Sequence, residues 1–162
     1  MLNVGIKYDI FRVKGGSVAS DMVELVVFLL SGELYGISIA QVREIIPFQA
    51  VTSVPRTPPY VLGVTNLRGR VIPVIDLRVR IGLPSGRLDQ GQKIAVVELD
   101  GQTTVGMVVD GVSEVLQIPQ DSVEPTPPTL TDIEARYIAG VAKQEGNMII
   151  LLDMPKVLAR RP

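Results

Sequence analysis

A chain of 162 residues, 46% apolar and 20% charged, can bury a core as one ordinary domain or two compact lobes, which excludes a disordered protein. It has no cysteine, so no disulfide framework exists and a reducing cytoplasm is the natural setting, and no histidine, so the commonest general base and the usual zinc ligand are missing. A formal charge of -1 argues against nucleic-acid binding, and no apolar run approaches the ~18 residues that span a bilayer, so no membrane insertion is expected.

Residues 1–21 carry no basic segment followed by an apolar stretch, so no secretory signal is read; Gly15-Gly16-Ser17 looks like a flexible joint, and the leader is set aside as an arm, an upstream start or an expression remnant. Leu25 to Leu30 reads as a strand, Ser31-Gly32 as a turn, and Leu34 to Ile39 as the returning strand of a hairpin. From Ile39 to Ile46 the apolar spacing changes and predicts a short helical turn with Ile39, Val42, Ile45 and Ile46 on one face, stopped by Pro47. Val51 to Val54 is a further short strand, closed by Pro55, Pro58 and Pro59. Val61 to Leu67 and Val71 to Leu77 flank Arg68-Gly69-Arg70 as a second hairpin, whose glycine can supply a positive φ. Ser85 to Gln92 reads as a linker, after which Lys93 to Leu99, Asp100-Gly101 and Thr103 to Val109 repeat the first hairpin. The end, Arg160-Arg161 included, reads as a charged tail over 159–162 with no room for a catalytic domain.

The chain contains one design twice, its halves about seventy residues apart. Leu30-Ser31-Gly32, Tyr35-Gly36, Val42-Arg43-Glu44-Ile45, Gly63-Val64 and Gly69 to Leu77 are answered by Leu99-Asp100-Gly101, Val105-Gly106, Val112-Ser113-Glu114-Val115, Gly140-Val141 and Gly146 to Met154. Each half offers about five short strands and one helical turn, which suits a small closed barrel, and lobes this small must lean on each other. The expected fold is all-β, two packed five-stranded barrels. The first spans about 22–84 and the second about 92–158, with strand exchange between them allowed for.

Catalysis has little to work with. No thiolate nucleophile, Gly-x-Ser-x-Gly elbow, Ser-x-x-Lys pair or phosphate-binding loop occurs, so no catalytic residue, metal ligand or cofactor is assigned. Asp76 and Asp153 stand at equivalent strand ends, where capping the next turn is the simpler account. Glu44 and Glu114 fall on the polar sides of the expected helical turns. Arg68 differs, because its counterpart falls at or near Glu145 and the hairpin tip reverses its charge. What both halves share belongs to the fold. What one half alone carries is the better candidate for function.

Gly63-Val64-Thr65-Asn66-Leu67-Arg68-Gly69-Arg70-Val71-Ile72-Pro73-Val74-Ile75-Asp76-Leu77-Arg78 resembles the signature of the CheW family of bacterial chemotaxis coupling proteins. Tyr35-Gly36-Ile37, Val42-Arg43-Glu44-Ile45 and Gly106 to Val112 match at the family's other familiar places, and the resemblance runs from about Val23 to Leu158. It implies SH3-like barrels and a non-catalytic adaptor that couples the cytoplasmic tips of methyl-accepting chemoreceptors to the regulatory domain of the CheA histidine kinase. It also implies a cytoplasmic location, at membrane receptor arrays only through partners. By the same resemblance Val42, Glu44 and Arg68 would contact the receptor around the groove between barrels, and Gly63 and Val71 would lie in the kinase contact. A second kinase-facing surface is implied on the other barrel without residue assignments. The alternatives are a paralogous coupling protein of a non-flagellar chemosensory pathway, or a two-barrel domain that binds a peptide or small ligand.

Overall fold

The computed structural model describes residues 22–84, 86–126 and 136–159; the leader, 1–21, and the tail beyond 159 lie outside them. In chain order the strands are β1 (Met22–Leu30), β2 (Glu33–Ser38), β3 (Val42–Pro47), β4 (Val61–Leu67), β5 (Arg70–Asp76), β6 (Lys93–Leu99), β7 (Thr103–Val109), β8 (Gly111–Pro119), β9 (Val123–Glu124), β10 (Ile138–Gln144) and β11 (Asn147–Leu152). Two single-turn helices follow β5 and β11: α1 (Leu77–Arg80) and α2 (Met154–Val157). They form one sheet ordered β3-β6-β7-β5-β4 and another ordered β8-β1-β2-β11-β10-β9, the expected all-β fold.

Each sheet closes on itself because one strand bends and serves both edges. β8 runs through a 3-10 turn at Gln120–Ser122 into β9, which pairs with β10, so the six named strands make a five-stranded barrel whose bent strand is named twice. In the other sheet β3 continues into a strap that reaches β4 through the isolated Thr52–Val64 bridge, with Thr52 N to Val64 O at 2.8 Å and Val64 N to Thr52 O at 2.9 Å. The strand expected over Val51 to Val54 is reduced to that bridge, and Pro55, Pro58 and Pro59, which cannot donate to a ladder, follow it directly.

The sheets do not follow the halves of the sequence. Hairpin β1-β2 belongs to the sheet otherwise built from the second half, and hairpin β6-β7 to the sheet otherwise built from the first. Each exchanged hairpin is held by an antiparallel pairing on one side, β1 with β8 and β6 with β3, and a parallel one on the other, β2 with β11 and β7 with β5.

Side-chain alternation along β1 shows why the barrels pack. Val23, Leu25 and Val27 point into their own barrel with Ile118, Ile149 and Leu151, while Phe28 and Leu30 point out. The outward set joins Ile37, Ile75, Val97, Met107, Leu152, Met154 and Val157 in the largest apolar cluster, which lies between the barrels. A smaller cluster of Ile72, Val74, Ile94, Val96 and Val108 fills the other barrel. Burying each large apolar side chain contributes roughly 1.5–3 kcal/mol, so the lobes gain much of their stability from each other.

The helical turn expected over Ile39 to Ile46 is corrected: only Ile39–Gln41 forms a 3-10 turn, and Val42–Pro47 is strand. A β-bulge between Val42 and Glu44 explains the misreading. The extra residue, Arg43, offsets the two-residue alternation and makes apolar positions recur at three- and four-residue intervals. Glu44 and Glu114 therefore stand on strands β3 and β8, not on helical turns.

Candidate partner-binding site

The β4-β5 hairpin turns on two residues, Arg68 and Gly69, with φ of 52° and 83°. Two successive positive φ values match the right-handed twist of the strands, so this tight turn presents Arg68 at a fixed place. Asn66 Oδ1 accepts a hydrogen bond from Gly69 N at 2.8 Å, and Gln49 Nε2 donates to Asn66 O at 2.9 Å and to Thr65 Oγ1 at 2.8 Å. The Asn-Leu-Arg-Gly run is thus a turn with its own side-chain support, braced by the strap.

Closure of the barrel brings Glu44 to this tip. Arg68 Nη1 donates to Glu44 Oε2 at 2.5 Å; the Arg68 side chain is 74% exposed and that of Glu44 23%. The hydrogen bond that Arg68 donates to Glu44, and then the Glu44 charge, raise the Arg68 pKa above the ordinary guanidinium value. Val42, at the start of the same strand, packs against the cluster between the barrels. The structure therefore joins Glu44 to Arg68 directly and sets Val42 at the inter-barrel seam.

The second half repeats the backbone without the pair. Glu145 and Gly146 have φ of 49° and 82°, which makes Glu145 the geometric counterpart of Arg68, while Glu114 answers Glu44. Two acids replace the ion pair.

Gly63 and Val71 lie on the same hairpin and differ in kind. Gly63 is buried with φ of 146°, and a Cβ there would fall 1.9 Å from Thr52 O, so the strap crosses where its side chain would be. Val71 is 64% exposed beside a shallow depression lined by Gln49, Thr52, Val64 and Asn66. Of the two, only Val71 offers a side chain to a partner.

The expected capping aspartates do cap. Asp76 Oδ1 accepts from Arg78 N at the start of α1, and Asp153 Oδ1 accepts from Lys156 N in α2. Asp76 is also engaged by the buried Arg78 guanidinium, with Nε 3.1 Å from Oδ1 and Nη2 3.2 Å from Oδ2. Among the described residues no group of three or more acidic, histidine or cysteine side chains could hold a metal. A pocket of about 290 Å³, lined by Tyr35, Ile81, Leu83, Tyr137, Met148 and Ile150 together with Glu33, is mostly apolar.

Sequence reasoning gave no role to Val112 and Val115, which are 40% and 56% exposed. They pair with Phe28 and Val26 on β1, so they share the outward face from which Phe28 enters the inter-barrel cluster. The signal was the match of Val112-Ser113-Glu114-Val115 to Val42-Arg43-Glu44-Ile45, whose Val42 and Ile45 pack against that cluster.

The family model described as the CheW-like domain matches residues 24–161. The chemotaxis protein CheW of Klebsiella aerogenes is 38% identical over 136 residues, 84% of this chain and 81% of that one. That of Bacillus subtilis is 34% identical over 83% of this chain and 86% of its own. The crystal structure of the scaffolding protein TtCheW from Thermoanaerobacter tengcongensis superposes with a TM-score of 0.73 at 41% identity, covering 80% of this chain and 88% of that one.

Proposed function

The chain belongs to the CheW-like domain family, and on that premise we propose that this adaptor of chemotaxis signalling joins the cytoplasmic tips of chemoreceptors to the regulatory domain of a CheA histidine kinase. It is a scaffold and not an enzyme. No helix among the described residues is long and apolar enough to cross a membrane. In this reading the protein works in the cytoplasm and reaches receptor arrays only through its partners.

The observation that carries the receptor contact is the Arg68–Glu44 pair, held on a braced tip in one half and missing from the equivalent place in the other. A receptor tip is a helical hairpin. The apolar seam at Val42 can take its hydrophobic anchors while Glu44 and Arg68 fix its register by charge-assisted contacts at the rim. Val71, exposed on β5 of the same hairpin, supports a separate kinase-facing patch, with Gly63 leaving room for the strap to cross β4. Signal would then pass as a change in coupling between bound partners, with no reaction on this chain.

An amide-shift titration with a soluble receptor-tip fragment, and separately with the kinase regulatory domain, tests this. Two distinct patches are expected, the first including Glu44 and Arg68 and the second Val71. A single shared patch, or no response to either partner, overturns it.

A further inference from the structure

The charges on this face do not end at Glu44 and Arg68. Arg43, the bulge residue of β3, donates from Nη1 to Glu98 Oε1 on β6 at 2.9 Å, and the two side chains are 50% and 24% exposed. From β6 across β3 to the hairpin tip the order is Glu98, Arg43, Glu44, Arg68, alternately negative and positive.

The other half shows that the backbone does not need this strip. Strand register equates Val112 with Val42 and Phe28 with Val97, and β8 carries the same one-residue bulge, here at Ser113. The four corresponding residues are Leu29, Ser113, Glu114 and Glu145, which include no opposite charges. Exposed ion pairs add little to stability, so a fold that stands without them in one barrel gives no reason for two of them side by side in the other.

We infer that the strip is the specificity face for the helical partner, with Arg43 and Glu98 as its outer half; this rests on the receptor reading above. β6 and β3 are neighbouring strands ~4.8 Å apart and one helical turn rises ~5.4 Å, so a helix laid from β6 across β3 to the tip sets one turn over Glu98, the next over the consecutive Arg43 and Glu44, and a further one over Arg68. The matching helix carries acids over Arg43 and Arg68 and a basic or donor side chain over the glutamates. Each guanidinium has five N–H donors and each carboxylate several lone pairs, so the internal pairs leave capacity for a partner. Those pairs also order the side chains before binding, and a helix with the opposite charge order meets like charges.

The test titrates a soluble receptor-tip hairpin and the kinase regulatory domain against four proteins: wild type, Arg43→Ser with Glu98→Leu, Arg43→Glu with Glu98→Arg, and Arg68→Glu. The first double variant is expected to bind the receptor tip about tenfold more weakly and the kinase domain as wild type does, with the charge-exchanged pair weaker still. Should the charge-exchanged protein fail to fold, the first double variant decides alone, because the other half already carries those residues on the same backbone. Receptor affinity within about twofold of wild type for the double variants, while Arg68→Glu is weakened, overturns the strip and leaves the receptor reading standing. Unchanged affinity for Arg68→Glu as well overturns both.

Discussion

A methyl group on Gly106 would stand 2.8 Å from Cγ2 of Ile94, so β7 passes Ile94 only because that position has no side chain. Gly36 is its counterpart, with Cγ2 of Ile149 at 3.1 Å from the same hypothetical carbon. Both lie in the parallel pairings that seat the exchanged hairpins, Val74 with Gly106 and Leu151 with Gly36. Gly106→Ala is expected to destabilise the protein by ~1–3 kcal/mol, and Gly36→Ala by less, in urea unfolding. Equal, negligible effects would mean that the neighbours yield freely.

Arg68→Glu places two acids at the tip, as the second half already does with Glu114 and Glu145, so the melting transition should stay where it is. Receptor binding should weaken about thirtyfold, as for a central charged anchor. Calorimetry and a binding titration on one preparation separate the two effects, and a lost melting transition would make the pair structural.

The Arg68 charge contributes no titration near neutrality. Its pKa is raised in the folded protein, so the ion pair's contribution is fully present below the ordinary guanidinium value and disappears only as pH rises through the still higher folded one. With no histidine in the chain, this protein's share of receptor binding should be flat between about pH 6.5 and 8.5 and should instead fall with added salt. A histidine-free fragment of the partner makes the measurement clean; a step in affinity inside that window would contradict it.

Gly63 and Val71 should respond differently. Gly63→Ala drives a carbon into the Thr52 carbonyl, so stability and kinase binding should fall together as the Thr52–Val64 bridge is lost. Val71→Glu, at an exposed site, should change stability by under ~0.5 kcal/mol and weaken only the kinase contact. Thermal melts paired with kinase titrations decide whether the two residues act separately.

Arg80 ties the last helix to the first half. Its Nε donates to Val157 O at 2.7 Å and its Nη2 to Ala159 O at 2.6 Å, and its guanidinium lies over Tyr60 and Tyr137 at 4.4 and 5.1 Å from the ring centroids. Arg80→Ala should cost ~1–3 kcal/mol of stability, and Arg80→Lys should recover only part, since an ammonium cannot make the planar fork. Full recovery by lysine in a thermal melt would show that charge alone matters.

The hairpins, their turns and the capping aspartates were legible because each depends on local residues: Ser31-Gly32, Arg68-Gly69, and Asp76 or Asp153 before a helical turn. The β3 bulge was not, because one inserted residue gives a strand the spacing of a helix, and pairing with β6 decides between them. Arg68 stood out by the contrast with Glu145, yet its partner Glu44 is 24 residues away and meets it only once the strap closes the barrel. Arg43 with Glu98 and the exposed Val112 with Val115 needed strand register, which periodicity alone does not contain.

The exchanged hairpins have a consequence for symmetry. Two identical half-chains that traded hairpins in this way would form a twofold dimer, and every side chain on one barrel would be obliged to appear on the other. Joined in one polypeptide, the halves keep the interlocked frame but are released from that obligation. Glu98 can face Arg43 in one barrel while Leu29 and Ser113 take the equivalent places in the other, so a nearly symmetric body has a distinguishable front and back. An object with two unlike faces can be threaded between two unlike neighbours in one orientation only.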